Sequence, residues 1–234
     1  MQIARDHDEP IILKAKRFST MLNIHHIMCN MLQENCYVVS DETKECVIID
    51  CGAFFEKDKS ALTQYIADNE LKPRRLLATH GHVDHNLGNA FVFATYGLRP
   101  EVHEDDGELL DHLPEQAAYL LNMPLEEQQP SIERYLTEAD SIEWGNHRFT
   151  IIHTPGHTEG SCVFYCESEG VAFTGDTLFK GSIGRVDLPG GSMFKMMQSI
   201  RHLSQLPDTT RVFSGHGPAT TIGYELAHNP YSDR

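Results

Sequence analysis

The architecture of this chain follows from one stretch, Leu76-Leu77-Ala78-Thr79-His80-Gly81-His82-Val83-Asp84-His85. A short apolar run is followed at once by three histidines and one aspartate within six residues. One metal ion rarely needs all four, and the adjacent Asp84 and His85 point in different directions from a turning backbone. The stretch is better suited to sharing its ligands between two neighbouring cations, which predicts a two-metal hydrolytic centre.

Three further apolar runs end in a glycine turn followed by a metal-binding side chain: Ile151-Ile152-His153-Thr154-Pro155-Gly156-His157, Val171-Ala172-Phe173-Thr174-Gly175-Asp176 and Val212-Phe213-Ser214-Gly215-His216. Short β-branched or aromatic runs bounded by Gly and Pro are typical of buried strands. If these strand ends meet at one edge of a layered sheet, six or seven N and O ligands converge there. The alternative, that the histidines are ordinary surface or core residues, suits a single histidine better than this constellation.

The remaining periodicity predicts a layered α/β domain. The expected elements are antiparallel strands at 24–27, 36–40 and 47–50, helices at 60–71 and 89–96, an acidic helical excursion over 101–130 that covers the site, and strands that resume near Ser141. Ser192 is expected to cap a last helix whose methionine stripe packs into the core. This order of strands and helices suggests a four-layer αββα sandwich.

Composition indicates one compact domain. The 234 residues can bury a substantial core, so we expect a single domain over residues 21–234 after a mobile extension at 1–20. A net charge of −15 argues against a nucleic-acid surface, and the apolar runs are too short for a membrane span or a signal peptide. The six cysteines lack paired spacing and are expected as reduced thiols, in keeping with a cytoplasmic protein.

The motifs resemble those of the metallo-β-lactamase fold hydrolases. The match consists of the His-x-His-x-Asp-His motif at 80–85, then His157, Asp176 and His216 in that order, and it spans about residues 22–220. The resemblance implies the same αββα fold and two divalent ions, mostly Zn with Fe or Mn as alternatives. His80, His82 and His157 would bind the first ion; Asp84, His85 and His216 the second; Asp176 would bridge them. Asp84 would also orient a metal-bridging hydroxide, which forms because bound metals lower the pKa of water toward about 7.

A closer resemblance, to the glyoxalase-II-like branch and its short bacterial members, rests on Leu178-Phe179-x-Gly181-Ser182-x-Gly184-Arg185-x-Asp187 and Pro189-Gly190-Gly191. It implies hydrolysis of a small anionic thioester such as S-lactoylglutathione, with Arg185 where the family places a basic contact to glutathione. Lys180, Arg185 and Lys195 form a local basic cluster suited to a substrate carboxylate, or else are solvated surface charges. Glyoxalase II also has a C-terminal helical extension with further glutathione contacts, which the sequence after His216 is too short to hold. The acyl group and the thiol carrier therefore stay open.

Persulfide dioxygenases resemble the same motif and form the main alternative. They also carry Gly-Arg-x-Asp, but they use one Fe(II) ion held by two histidines and one carboxylate, here His80, His157 and Asp176. The motif alone does not separate a binuclear thioester hydrolase from a mononuclear dioxygenase acting on glutathione persulfide. A non-catalytic binding module is disfavoured because every expected ligand type is present.

Overall fold

The computed structural model of the protein describes residues 21–232. The mobile extension predicted for residues 1–20 lies outside the described residues and stays a prediction. None of the helices in the described part of the chain is long and apolar enough to cross a membrane.

The first sheet has six strands in the order β1-β2-β3-β4-β5-β6. The β1-β2 and β2-β3 pairs are antiparallel, and the pairs from β3 to β6 are parallel. Its strands are β1 (Asn23–Cys29), β2 (Glu34–Ser40), β3 (Glu45–Ile49), β4 (Lys72–Leu77), β5 (Pro100–His103) and β6 (Arg134–Leu136).

The second sheet also has six strands, in the order β14-β13-β10-β9-β8-β7, and a two-stranded hairpin, β11-β12, accompanies it. Only β10 and β13 pair in parallel within this sheet. The strands are β7 (Ser141–Trp144), β8 (His147–His153), β9 (Cys162–Cys166), β10 (Val171–Gly175), β11 (Leu178–Phe179), β12 (Ser182–Ile183), β13 (Arg211–Ser214) and β14 (Thr220–Thr221).

Helices cover the outer faces of both sheets. They are α1 (Glu56–Asp68), α2 (Asn89–Tyr96), α3 (Gly107–Asp111), α4 (Leu113–Leu121), α5 (Met193–Leu203) and α6 (Ile222–His228). Leu62 and Ile66 of α1 pack on the outer face of the first sheet. Met196 and Ile200 of α5 pack on the outer face of the second. The helices therefore supply the two outer layers.

The main core lies between the sheets. Val39, Ile49 and Leu77 of the first sheet face Phe149 and Phe173 of the second, and all five side chains are almost completely buried. Burial of a side chain of this size is worth about 1.5–3 kcal/mol, so this layer is the largest source of stability. The predicted four-layer αββα sandwich is confirmed.

Two predicted elements need correction. The helix expected at 60–71 is α1, and it begins earlier, at Glu56, because the Asp58 carboxylate accepts a hydrogen bond from the Phe55 N–H at 3.2 Å. The helix ends before Glu70, where φ is +55°. The helical excursion expected over 101–130 begins instead with strand β5, and its helices occupy only 107–121. A four-residue strand that contains Pro, Glu and His lacks the apolar alternation that marks a strand in sequence.

Other local predictions are confirmed. Helix α2 spans Asn89–Tyr96 and ends at Gly97, where φ is +72°. The Ser192 hydroxyl accepts a hydrogen bond from the Lys195 N–H and caps α5.

The methionine stripe of α5 is only partly in the core, because Met196 is buried while Met193 is exposed. All six cysteines are buried, and none of them forms a disulfide bond.

Candidate metal centre

The seven residues predicted to hold metal follow four strands that end at the same edge of the sandwich. The segment 80–85 follows β4, His157 follows β8, Asp176 directly follows β10, and His216 follows β13. Each strand contains a short apolar run near its end, and a turn after it directs a polar side chain away from the core. The structure brings all seven side chains together.

Three histidines form a first cluster, made of His80, His82 and His157. One ring nitrogen from each lies within 4.8 Å of the other two. The closest pair is His82 Nδ1 and His157 Nε2, which are 2.7 Å apart. All three rings are buried.

Asp84, His85 and His216 form a second cluster beside the first. Oδ2 of Asp84 lies 3.3 Å from Nε2 of His216 and 3.7 Å from Nε2 of His85. Asp176 lies between the clusters: its Oδ1 is 3.3 Å from Nε2 of His85, and its Oδ2 is 3.6 Å from Nε2 of His157. One carboxylate therefore faces both clusters.

The buried polar atoms of this site fit metal ions. His80 Nε2 is shielded from solvent and has no hydrogen-bond partner among the described residues, and the equally shielded His85 Nε2 and Asp176 Oδ1 lie 3.3 Å apart without forming a well-aligned hydrogen bond. A buried polar atom without a good partner costs about 1–3 kcal/mol, so three at one place fit a bound metal ion. Imidazole nitrogens and carboxylate oxygens suit Zn, Fe and Mn.

In four of the five histidines, the ring nitrogen Nδ1 forms a hydrogen-bond contact with a protein oxygen. The partners are the Thr79 hydroxyl for His80 at 3.0 Å, Asp50 for His85 at 3.0 Å, the Arg185 carbonyl for His157 at 2.8 Å and the Leu32 carbonyl for His216 at 3.2 Å. Such bonds fix the orientation of a ring and leave Nε2 free for a metal. His82 differs, because it points Nδ1 at the first cluster.

Residues 29–216, which include all of these side chains, match the family model of the metallo-beta-lactamase superfamily. The chain belongs to this superfamily. It is 36% identical over 222 residues to hydroxyacylglutathione hydrolase GloC of Haemophilus influenzae, with 90% of this chain and 98% of that protein covered. It is 38% identical over 205 residues to an uncharacterized protein of Aquifex aeolicus, with 85% and 91% covered.

Solved structures of the superfamily superpose closely. The BLEG-1 B3 metallo-beta-lactamase aligns with a TM-score of 0.82 at 36% identity, over 89% of this chain and 99% of that one. TTHA1623 in a di-iron-bound form aligns with a TM-score of 0.78 at 33% identity, over 88% and 99%. ETHE1 from Myxococcus xanthus has a TM-score of 0.72 at 23% identity, over 89% and 83%, and shares the fold.

In this superfamily member, burial and charge shift the pKa values of the buried histidines in opposite directions. Burial lowers the pKa of His80 well below its usual range, and burial with the nearby His157 lowers the pKa of His82 to about 3. Burial opposes ionisation of His85 too, but Asp84 and Asp176 raise its pKa. The environment of His80 and His82 therefore favours neutral rings, whereas the carboxylates beside His85 favour positive charge at that position.

Two buried aspartates that support the centre were not predicted from the sequence. Asp50 accepts hydrogen bonds from the Thr79 N–H and hydroxyl, both at 2.7 Å, and contacts His85. Asp106 accepts from the Gly81 N–H at 2.8 Å and from the 158–160 loop. Asp50 directly follows β3, so the signal that identified the other residues, a polar side chain after an apolar strand, would have found it.

Gly215 is required at the centre by close packing. A Cβ atom at this position would lie 2.3 Å from Oδ1 of Asp176 and 2.5 Å from Cε1 of His85. Any side chain would displace one of these residues. This close approach explains the glycine that precedes His216 in the sequence motif.

The predicted basic residues separate in the structure. Arg185 lines a cavity of about 350 Å³ above the two clusters. Lys180 instead sits in the turn of the β11-β12 hairpin, with its Nζ 5.1 Å from the centre of the Tyr224 ring, and lines a different depression. Lys195 pairs with Glu159. Lys180 was predicted to bind substrate with Arg185, and the structure does not place the two together, because the hairpin turn directs Lys180 toward α6.

A further group, His103, Asp105 and His153, lies at the ends of β5 and β8. The two rings are stacked 4.1 Å apart. Nδ1 of His103 accepts from the Asp105 N–H, and Nε2 of His153 donates to the Glu159 carbonyl. One donor atom from each residue lies within 4.8 Å of the other two, but the two ring nitrogens that converge are already engaged by these backbone groups.

Proposed function

We propose that this protein hydrolyses a thioester of an anionic thiol, with glutathione as the preferred carrier, at a binuclear metal centre. The observation that supports this most is the position of Asp176, whose two oxygens face the two clusters at 3.3 and 3.6 Å. A carboxylate in that position suits a bridge between two cations. The similarity to a hydroxyacylglutathione hydrolase over nearly the whole chain supports the same class of reaction.

The seven side chains divide between two metal sites. His80, His82 and His157 would hold one ion, the second cluster would hold the other, and Asp176 would bind both. Divalent ions supply hydroxide at neutral pH and polarise a carbonyl group. Zn suits these ligands best, with Fe or Mn as alternatives.

The chain's own groups orient the reactants. Oδ2 of Asp84 faces His85 and His216 of the second cluster, where it can accept a hydrogen bond from the attacking water. Arg185 stands exposed at the rim of the cavity, where its guanidinium can hold a substrate carboxylate. In the reaction a C–O bond forms at the acyl carbon, the C–S bond breaks, and the thiolate leaves with a proton from water. The products are a carboxylic acid and a free thiol.

A mononuclear iron dioxygenase acting on glutathione persulfide would need only His80, His157 and Asp176. The second cluster would then hold no metal. His85 Nε2 is fully buried and faces the carboxylates of Asp176 and Asp84 at 3.3 and 3.7 Å, a donor set that supports a second ion. The six buried, unpaired cysteines support a reducing compartment such as the cytoplasm.

The test combines metal analysis with two assays on protein purified without added metal. We expect close to two transition-metal ions per chain and hydrolysis of S-lactoylglutathione or a related acyl-glutathione without oxygen uptake. One iron per chain, with oxygen consumed in the presence of glutathione persulfide and no thioester cleaved, would overturn the proposal.

A further inference from the structure

The cavity above the metal centre has one charged side and one apolar side. Arg185 lies on the side of His157, because its carbonyl oxygen accepts from Nδ1 of that ring. Leu32 lies on the side of His216, because its carbonyl oxygen meets Nδ1 of that ring at 3.2 Å. Leu120 and Leu121, from the end of α4, line the same cavity. We call Leu32, Leu120 and Leu121 the leucine wall.

Helix α4 is held firmly over the second cluster. Leu113, Ala117 and Leu121 pack with Val83, which stands next to Asp84. The Gln116 side chain accepts a hydrogen bond from the Val83 N–H at 3.2 Å and donates one to the Gly81 carbonyl at 3.1 Å. The end of α4 therefore keeps a fixed position relative to the reacting groups.

Two members of the leucine wall are exposed although they are apolar. Leu32 is 47% exposed and Leu120 is 38% exposed, and neither belongs to a core cluster of the described residues. They lie outside these core clusters, yet they stand at the mouth of the metal cavity. Apolar side chains that converge with a few polar groups at a cavity mark a ligand site.

We infer that the leucine wall binds the acyl chain of the substrate and that the protein prefers thioesters of straight, apolar acyl groups such as butyryl and hexanoyl. This inference rests on the proposed thioester hydrolysis. A substrate whose carbonyl lies between the clusters, with its thiol carrier toward Arg185, directs its acyl group to the wall. A lactoyl group would bring a hydroxyl against leucine side chains, where it loses hydrogen bonds to water.

The test compares acetyl-, lactoyl-, butyryl- and hexanoyl-glutathione as substrates of the metal-loaded protein. Burial of one methylene group is worth roughly fourfold in binding, so we expect kcat/KM to rise about fifteenfold from butyryl to hexanoyl, which differ by two methylenes. Leu120→Asn should remove most of this rise and lower kcat/KM for hexanoyl-glutathione far more than for acetyl-glutathione. Tyr119→Ala is the matched control, because Tyr119 is the neighbouring residue of α4 and is 81% exposed.

A binding measurement separates recognition from turnover. S-hexylglutathione, a thioether that is not hydrolysed, should bind wild type about fifteenfold more tightly than S-butylglutathione, and Leu120→Asn should remove most of this difference. Equal kcat/KM for acetyl and hexanoyl substrates, or a preference for lactoyl, would overturn the acyl site alone. No turnover of any thioester by protein with full metal content would overturn the proposed function, and the acyl site with it.

Discussion

The Asp50 carboxylate lies 3.0 Å from Nδ1 of His85, whose other nitrogen lies 3.3 Å from Asp176. Asp50 thus fixes one ring of the second cluster on the side away from Asp176. Partners of this kind typically change metal affinity by about 10–100-fold. We predict a loss of this size at the second site in Asp50→Asn, a change that suits the backbone because φ is +49° and Asn tolerates this region.

Competition with a chelator, followed by metal analysis, measures this loss. Asp68→Asn, an exposed residue in the last turn of α1, is the control and should retain wild-type affinity. Unchanged affinity in Asp50→Asn would show that the ring is held by packing alone.

The second prediction concerns Asp106, which ties together the two loops that carry the first cluster. Its carboxylate accepts from the Gly81 N–H at 2.8 Å, the Gly160 N–H at 2.7 Å and the Thr158 hydroxyl at 2.7 Å. Asp106→Ala leaves the two backbone N–H donors buried and unpaired, while the Thr158 hydroxyl keeps the Ser161 hydroxyl at 2.7 Å, so we expect a loss of ~3 kcal/mol in the free energy of unfolding. Denaturant unfolding of the metal-free protein measures it.

The neighbouring Asp105 supplies the control for this experiment. Its side chain is about half exposed, and Asp105→Ala should change stability by less than ~0.5 kcal/mol. Similar losses in both variants would mean that the hydrogen bonds of Asp106 contribute nothing specific.

The strand ends of the centre could be predicted from the sequence because each is encoded locally. An apolar run, a glycine and a polar side chain lie within a few residues, as in Val212–His216. Asp106 has no such local pattern. Its partners Gly81 and Thr158 lie 25 and 52 residues away in the chain, and only the folded sandwich brings them together.

The strand β5 and the direction of the Lys180 side chain were not predicted, for similar reasons. Strand β5 is held by its parallel neighbours β4 and β6, which are distant in sequence, and not by its own composition. Lys180 and Arg185 are close in sequence, but the β11-β12 hairpin intervenes and directs the two side chains to different depressions. The sequence therefore predicted that Lys180 and Arg185 lie in the same part of the molecule, but it did not predict that their side chains point in different directions.

The third prediction tests the second metal site. His85→Ala and His216→Ala should each lower kcat for thioester hydrolysis by at least about a hundredfold, because an electrostatic stabiliser of the transition state is lost. Each variant should also release one metal ion. His228→Ala, an exposed histidine near the end of α6, should behave as wild type. Full activity in both cluster variants would exclude a binuclear mechanism.

Metal removal provides the fourth prediction. A ligand present at about a thousand times its dissociation constant stabilises the folded state by ~4 kcal/mol. For a domain of this size we expect chelation to lower Tm by roughly 10 °C. Scanning calorimetry with Zn, Fe and Mn restored separately measures the recovery. A Tm that is insensitive to chelation would argue that the buried nitrogens of the clusters do not bind metal.

The last prediction concerns Arg185, which currently pairs with Asp187 through two contacts of 2.7 Å. This bidentate bond lowers the pKa of Asp187 to about 2. Both side chains are more than half exposed, so a substrate carboxylate can replace Asp187 at small cost. A charge-assisted hydrogen bond is worth about 1.5–3 kcal/mol, so Arg185→Ala should raise KM for an anionic thioester by roughly tenfold to a hundredfold.

The control substrate and the control variant make this result specific. A neutral thioester should be affected much less by Arg185→Ala, and metal content should not change. Lys180→Ala should leave both substrates unaffected, because Lys180 lies over Tyr224 and outside the metal cavity. Asp187→Asn removes the internal competitor of the substrate and should lower KM for the anionic thioester alone. If Arg185→Ala raises KM equally for both thioesters, and Asp187→Asn does not lower KM for the anionic one, then the Arg185–Asp187 ion pair has a structural role and does not take part in substrate recognition.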